Sequence, residues 1–486
     1  MSTRRIAAST LWQIASQAAM ALLSILASKF VAIGLSKEFA GYYNSAYGYL
    51  QIFAIIADFG LYAVSVREVS KAENKAQTLG ALLVLRMIIL IVSMGVGLSF
   101  VWVVPAWRGT PFPIGVTIAS LVPMFTLLAG MLRTVFQVQY KMHFVFVAEV
   151  LQRVVTTAGI GFFILAGVRL SSDIGVYEWF LWIGGVGSFL LFFLSAISAE
   201  RLMRIRPCFD GKLLIRFTKL AAPYGIAYLL MALYRQLDVA SIALLRPDFA
   251  LQNAYYGFAG RVEDMAFLLP TFLLNSVLPT LTNRLTLKQD VSVLLGKTLL
   301  ILLLFGTTFF LFSFLWAKPF TLLFTTPSYL STADHAGSDT AFALMSIPMF
   351  LNGMVLFSFY VFLAHHAWRR LAVCFGIGVL ITITLNLLLT PRYGFVGAAS
   401  ALIVVHMFLS ILLLPQTFRL QTIAIGRSAI LQWLAYSVIL AVPISLLAPM
   451  LTSAFRTIAA GTLMLPFIVV LALALGIHRT LRWREG

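Results

Sequence analysis

Long apolar runs, each closed by a short hydrophilic gap, follow one another from near residue 8 to near residue 477. A bilayer span needs about 20 predominantly apolar residues. That ruler predicts fourteen membrane helices, near 8–34, 41–66, 79–104, 113–135, 143–166, 175–198, 219–245, 255–281, 297–324, 341–364, 371–389, 394–414, 428–448 and 454–477. Arg4 and Arg5 before the first run have the look of a secretory signal, but the run is about twice the usual 7 to 15 residue apolar core of such a signal, so it reads as a span.

Composition agrees. Of 486 residues 61% are hydrophobic and 11% charged, with a mean hydropathy of +0.96, where a soluble domain carries about 25% charged residues. The formal charge of +18 is spread over short loops and forms no patch or stripe, so nucleic acid is not needed to explain it. Cys208 and Cys374 give neither a disulfide framework nor a metal-ligand pair, and no cofactor is expected.

The basic residues report topology. With the amino terminus inside, 23 of the 35 Lys and Arg fall in one set of loops, 7 in the opposite set and 5 within spans. A missed or invented span would invert this bias downstream, so its persistence predicts an even count with both termini cytoplasmic. The longest loop, 199–218, is basic and reads as a linker between an amino-terminal lobe, 1–198, and a second lobe, 219–414. Residues 415–486 supply two further spans and a cytoplasmic tail. Tyr42, Tyr43 and Ala46 match Tyr255, Tyr256 and Ala259 at an offset of 213 residues, which pairs span one with span seven as in a duplicated bundle.

Pro391-Arg392-Tyr393-Gly394-Phe395-Val396-Gly397-Ala398-Ala399-Ser400-Ala401 resembles the signature of Wzx-like polysaccharide and oligosaccharide flippases, a branch of the multidrug/oligosaccharidyl-lipid/polysaccharide (MOP) exporters. Asp58-Phe59-Gly60-Leu61 with Val66-Arg67-Glu68-Val69 is similar to that family, as is the Tyr-Arg-Gln-Leu-Asp run at 234–238 with the aromatic segment 255–258. On their own chemistry, Gly394, Gly397, Ala398 and Ala399 are small residues that let two spans approach closely in lipid. Gly60 marks either a loosened helix or an ordinary helix end.

An ion inside hydrocarbon costs at least about 2.5 kcal/mol and is usually kept for a partner or a pathway. Five cations need placing: Lys29 and Arg86, which lie within snorkelling reach of helix ends, and Arg153, Arg235 and Arg261. Glu149 precedes Arg153 by one helical turn; Asp238 follows Arg235 by three residues, and Glu263 and Asp264 stand beside Arg261, two and three residues on. The resemblance implies that spans one, two, seven and eight line a central cavity, placing Lys29, Arg235 and Arg261 in it. There, guanidinium groups would take the diphosphate of a lipid-linked sugar chain by bidentate, charge-assisted bonds. Asp58, Asp238, Asp264 and Glu149 are the candidates for coupling to H+ or Na+.

The sequence thus predicts an all-α polytopic membrane protein with two six-helix lobes in a V and two appended helices. The implied activity is that of a flippase carrying a polyprenyl-diphosphate-linked oligosaccharide from the cytoplasmic to the periplasmic leaflet of a bacterial inner membrane by alternating access. Its partners would be that glycolipid, membrane lipids and the polymerase and assembly proteins of a surface polysaccharide. A multidrug antiporter or a peptidoglycan-precursor flippase of the same superfamily is the alternative. A membrane glycosyltransferase or polymerase would need an acidic or metal-binding motif, and no Asp-x-Asp is present. His365 and His366, beside Arg369 and Arg370, are expected in solvent.

Overall fold

In hydrocarbon every backbone N–H and C=O must find its partner inside the protein, and an isolated segment can do so only as a helix. The computed structural model describes residues 3–139 and 141–481, with side chains at all of these except 3–15, 17, 18, 62, 63, 66, 67, 70, 223 and 224. The side chains of Arg4, Arg5, Arg67, Arg482 and Arg484, part of the charge asymmetry, lie outside the described residues. Among the described residues there is no strand, and a single β-bridge joins Leu35 to Ser171.

The helices are α1 Thr3–Gly34, α2 Lys37–Asp58, α3 Leu61–Lys71, α4 Lys75–Val103, α5 Phe112–Ala119, α6 Leu121–Val138, α7 His143–Leu165, α8 Ile174–Leu202 and α9 Gly211–Leu245. They are followed by α10 Phe249–Thr286, α11 Ser292–Leu315, α12 Ala317–Phe324, α13 Ser338–Ala364, α14 Trp368–Tyr393, α15 Phe395–Leu420, α16 Arg427–Leu447, α17 Ala454–Ala474 and α18 Ile477–Leu481. Twelve helical stretches among the described residues are long and apolar enough to span a membrane, with α5 and α6 counted as one. Outside these twelve stands α2, which carries Asn44, Ser45, Gln51 and Asp58; in α1 the described stretch Ala19–Gly34 is apolar.

Three expected spans are divided, one of them, 113–135, only by a turn at Ser120 between α5 and α6. The stretch 41–66 breaks at Phe59 and Gly60, both left-handed with φ of 38° and 67°, so the glycine marks a break within the span and not an ordinary helix end. The stretch 297–324 breaks at Trp316, whose indole N–H donates to the Ile444 carbonyl at 2.8 Å.

The chain forms two compact units, Met1–Ala254 and Tyr255–Gly486, and the division falls inside α10. The basic segment 199–218 therefore lies within the first unit. In that unit α1 packs on α7, and α6 and α7 both pack on α8; in the second, α11 packs on α13, and α13 and α14 both pack on α15. Three helices in succession thus use the same pairing in each unit. Close approach depends on small residues: a Cβ on Gly41 of α2 would overlap the Ala250 carbonyl, and one on Gly397 of α15 would lie 2.5 Å from the Leu389 carbonyl.

Candidate functional site

In the first unit the charged groups gather where α2 breaks. Left-handed Phe59 and Gly60 stop the helix and leave its last carbonyls without helical donors. Arg86 of α4 supplies them: one guanidinium nitrogen donates to the carbonyls of Ala57 at 3.2 Å and Asp58 at 3.0 Å and to the Asp58 carboxylate at 2.6 Å. A cation at a helix C-terminus also meets the negative end of the helix dipole. Arg86 is 2% exposed, so it is an interior ion-pair partner and does not snorkel to the headgroups. The broken helix end, close at hand, offers it better acceptors.

The neighbour of this break is α9, which packs on α2, α3 and α4. Gly225 lets α9 lie against it, since a Cβ there would come 2.6 Å from the Phe59 carbonyl. Tyr228 and Arg235, seven residues apart, share a face of α9. Tyr228 is 41% exposed. Arg235 itself is half-buried, and Asp238 is buried, accepting the Val239 N–H at 2.8 Å. The stretch around Asp58 thus meets α9 at Gly225 and the Phe59 carbonyl, on the helix that carries Tyr228 and Arg235; sequence reasoning missed Tyr228, whose spacing from Arg235 was the available signal.

Further along α2 the contact with α9 and the start of α10 is polar. Buried Asn253 donates to the Ser45 hydroxyl at 2.8 Å and the Val239 carbonyl at 3.1 Å, and Asn44 donates to the Asn253 carbonyl at 3.3 Å. The Trp107 indole donates to the Ala243 carbonyl at 2.8 Å.

A second charged cluster joins α1, α6 and α7. The Glu149 carboxylate, expected as the intrahelical partner of Arg153, reaches across to Arg133 at 3.0 Å and accepts a short bond from the Ser16 hydroxyl. It is therefore a tie between three helices. Arg133, counted with the cytoplasmic cations although the expected span 113–135 contains it, lies inside α6, which runs on to Val138. Arg153 is half-buried one turn along α7, and Lys29 is half-buried near the end of α1.

The second unit holds Arg261, half-buried with its guanidinium carbon 5.8 Å from the Phe258 ring centroid, within cation–π range. Successive helix residues point about 100° apart, so only one of the two adjacent acids can face inward. That one is Glu263, 6% exposed, whereas Asp264, expected to be shielded, is exposed. The aromatic segment after Arg235 is structural: Tyr255 and Tyr256 lie 6.2 and 6.3 Å from the ring of Phe395, which belongs to the glycine-rich signature, and Phe258 lies 5.6 Å from Tyr329. Gly394, with φ of 58°, turns the chain between α14 and α15.

Of the two histidines in the turn after α13, His366 is exposed, but His365 is half-buried beside Gln421. Burial pulls the His365 imidazole below its ordinary pKa.

The fold is shared with known transporters. The chain superposes on the lipid II flippase MurJ in an inward closed conformation with a TM-score of 0.67 at 17% identity, covering 97% of this chain and 99% of that one. It also superposes on an inward-facing multidrug resistance MATE family transporter of the MOP superfamily, at 0.62 and 12% identity, covering 82% and 94%. A third match is a MOP superfamily transporter from Pyrococcus furiosus, whose structure was described as having a binding pocket of reverse polarity, at 0.60 and 11% identity, covering 85% and 95%. Comparison with curated proteins found no match. At these identities the likeness establishes the fold. The sequence itself matches the polysaccharide biosynthesis protein family over residues 6–283, more than half its length. This multi-pass membrane protein, built on the fold of the MOP transporters, belongs to the polysaccharide biosynthesis protein family.

Proposed function

We propose that the protein is a flippase that moves a polyprenyl-diphosphate-linked oligosaccharide from the cytoplasmic to the periplasmic leaflet of a bacterial inner membrane by alternating access. The family supplies the pathway. The observation that carries the reading is a set of half-buried cations, Lys29, Arg235 and Arg261, held within helices read as membrane spans. A charge so placed is costly and is usually kept for a partner, a cavity or a pathway. A diphosphate crossing about 30 Å of hydrocarbon needs fixed donors to replace its lost water, and guanidinium groups offer two parallel donors to each phosphate.

Neighbouring acids divide the labour. Asp58 is engaged by Arg86 at the broken end of α2, which keeps that carboxylate from opposing an incoming anion. Asp238 and Glu263 are buried near Arg235 and Arg261 in sequence and are the acids proposed to gain a proton or sodium ion when substrate claims the cation. The proposal is tested in cells lacking the native protein. Replacing Arg235 by Gln should remove surface polysaccharide and leave the lipid-linked oligosaccharide on the inner leaflet, with the protein still inserted. Normal surface polysaccharide with that variant overturns the role of Arg235.

A further inference from the structure

The segment between α8 and α9 is more than a connector. Its backbone is docked on the first unit: Gly80 of α4 leaves room for the Arg206 carbonyl, which a Cβ would overlap, and the Gln139 amide donates to the Leu202 carbonyl at 3.2 Å. Leu202, Met203, Ile205, Cys208, Leu213 and Leu214 pack against a buried cluster that includes Leu79, Leu82, Val135 and Phe136.

What remains outward is basic and apolar together. Arg201, Arg204, Arg206, Lys212, Arg216 and Lys219 are all exposed. Phe209 is 78% and Ile215 59% exposed. The two acids within the segment are used internally: Glu200 accepts the Ile205 N–H at 2.9 Å, and Asp210 caps α9 by accepting the N–H groups of Lys212 and Leu213 at 2.9 and 3.4 Å. Among the described residues the single ion pair on this surface joins Arg216 to Glu68 at 3.5 Å.

Depth fixes what such a surface meets. The apolar run of α9 follows Lys219, the last of the six cations, so residues 201–219 stand at its hydrophilic end, at the level of the headgroups. Cations with an aromatic and a β-branched side chain at that level match an anionic interface: the charges meet phosphate, and the apolar tips enter the acyl boundary. We propose that residues 201–219 form an anchor for anionic phospholipid headgroups, which fixes the first unit against one leaflet. This rests on the membrane reading alone and not on the flippase reading.

The test uses the full-length protein in mixed micelles of phosphatidylglycerol and phosphatidylcholine, with bound lipid read by native mass spectrometry. The wild type should retain phosphatidylglycerol preferentially, and R201Q/R204Q/R206Q/K212Q should lose that preference, by about fivefold for each cation removed. Because all four positions are exposed, Gln should leave the fold intact, which thermal unfolding checks. A control, K288Q/R369Q/R370Q/R419Q, removes four exposed cations elsewhere and should keep the preference. Equal retention of both lipids by the wild type, an unchanged preference in the first variant, or an equal loss in the control would each overturn the anchor. Preference lost only on removing a co-purifying protein would assign the surface to a protein partner and overturn it too.

Discussion

One guanidinium nitrogen of Arg86 serves both the carboxylate and the backbone carbonyl of Asp58, at 2.6 and 3.0 Å. The pair sits at the point where α2 stops, so a single buried cation neutralises an acid and closes a helix end. Removing one member of a buried pair strands the other, at a cost of about 3–5 kcal/mol. Arg86→Leu is therefore expected to lower the thermal stability of the purified protein strongly. Asp58→Asn should cost less, because the two backbone carbonyls still hold Arg86. Equal stability of Arg86→Leu and wild type would remove the pair from the account of the break.

Glycines divide by what surrounds them. Gly41→Ala and Gly397→Ala each drive a Cβ onto a neighbouring carbonyl and should sharply reduce accumulation of folded protein. Among the described residues Gly95→Ala in α4 and Gly461→Ala in α17 meet nothing within 4 Å, and should be neutral or stabilise by up to about 1 kcal/mol. Detergent-resistant yield and thermal midpoint measure both sets.

Asn352, in the middle of α13, is 1% exposed, and among the described residues neither amide atom has a hydrogen-bond partner. An unsatisfied buried amide costs about 1–3 kcal/mol. Asn352→Leu is expected to be neutral or to raise the thermal midpoint. A large loss of stability would mean that the amide is satisfied in the membrane, by water or by substrate.

Coupling separates Asp238 from Asp264. Only a shielded carboxylate trades its charge against a nearby guanidinium with a large effect, and Asp238 is buried where Asp264 is exposed. In proteoliposomes with an imposed proton or sodium gradient, Asp238→Asn should blunt the response of transport to the gradient and Asp264→Asn should not. The reverse order, or indifference to both gradients, assigns these acids a structural role.

Much of the architecture was legible because hydrocarbon leaves the backbone few options: apolar length alone places the helices. The breaks at Phe59 and Trp316 were not, since they depend on acceptors and donors brought by Arg86 and Ile444 from distant sequence. For the site, sequence picked out the intramembrane charges but could not pair them. Helical spacing suggested Glu149 with Arg153, whereas the fold carries Glu149 to Arg133 and Ser16. Spacing likewise could not choose between Glu263 and Asp264, because that choice is a rotation of α10 about its own axis.

The most direct test of the central claim is translocation of a polyprenyl-diphosphate-linked oligosaccharide across proteoliposomes holding the purified protein. Translocation should exceed that of protein-free vesicles. Arg235→Gln and Arg261→Gln should each slow it by about tenfold or more, the loss of a hydrogen bond to a charged group, and Arg235→Lys should recover only part of the rate. A rate no greater than in protein-free vesicles, or full speed in both Gln variants, would contradict the account.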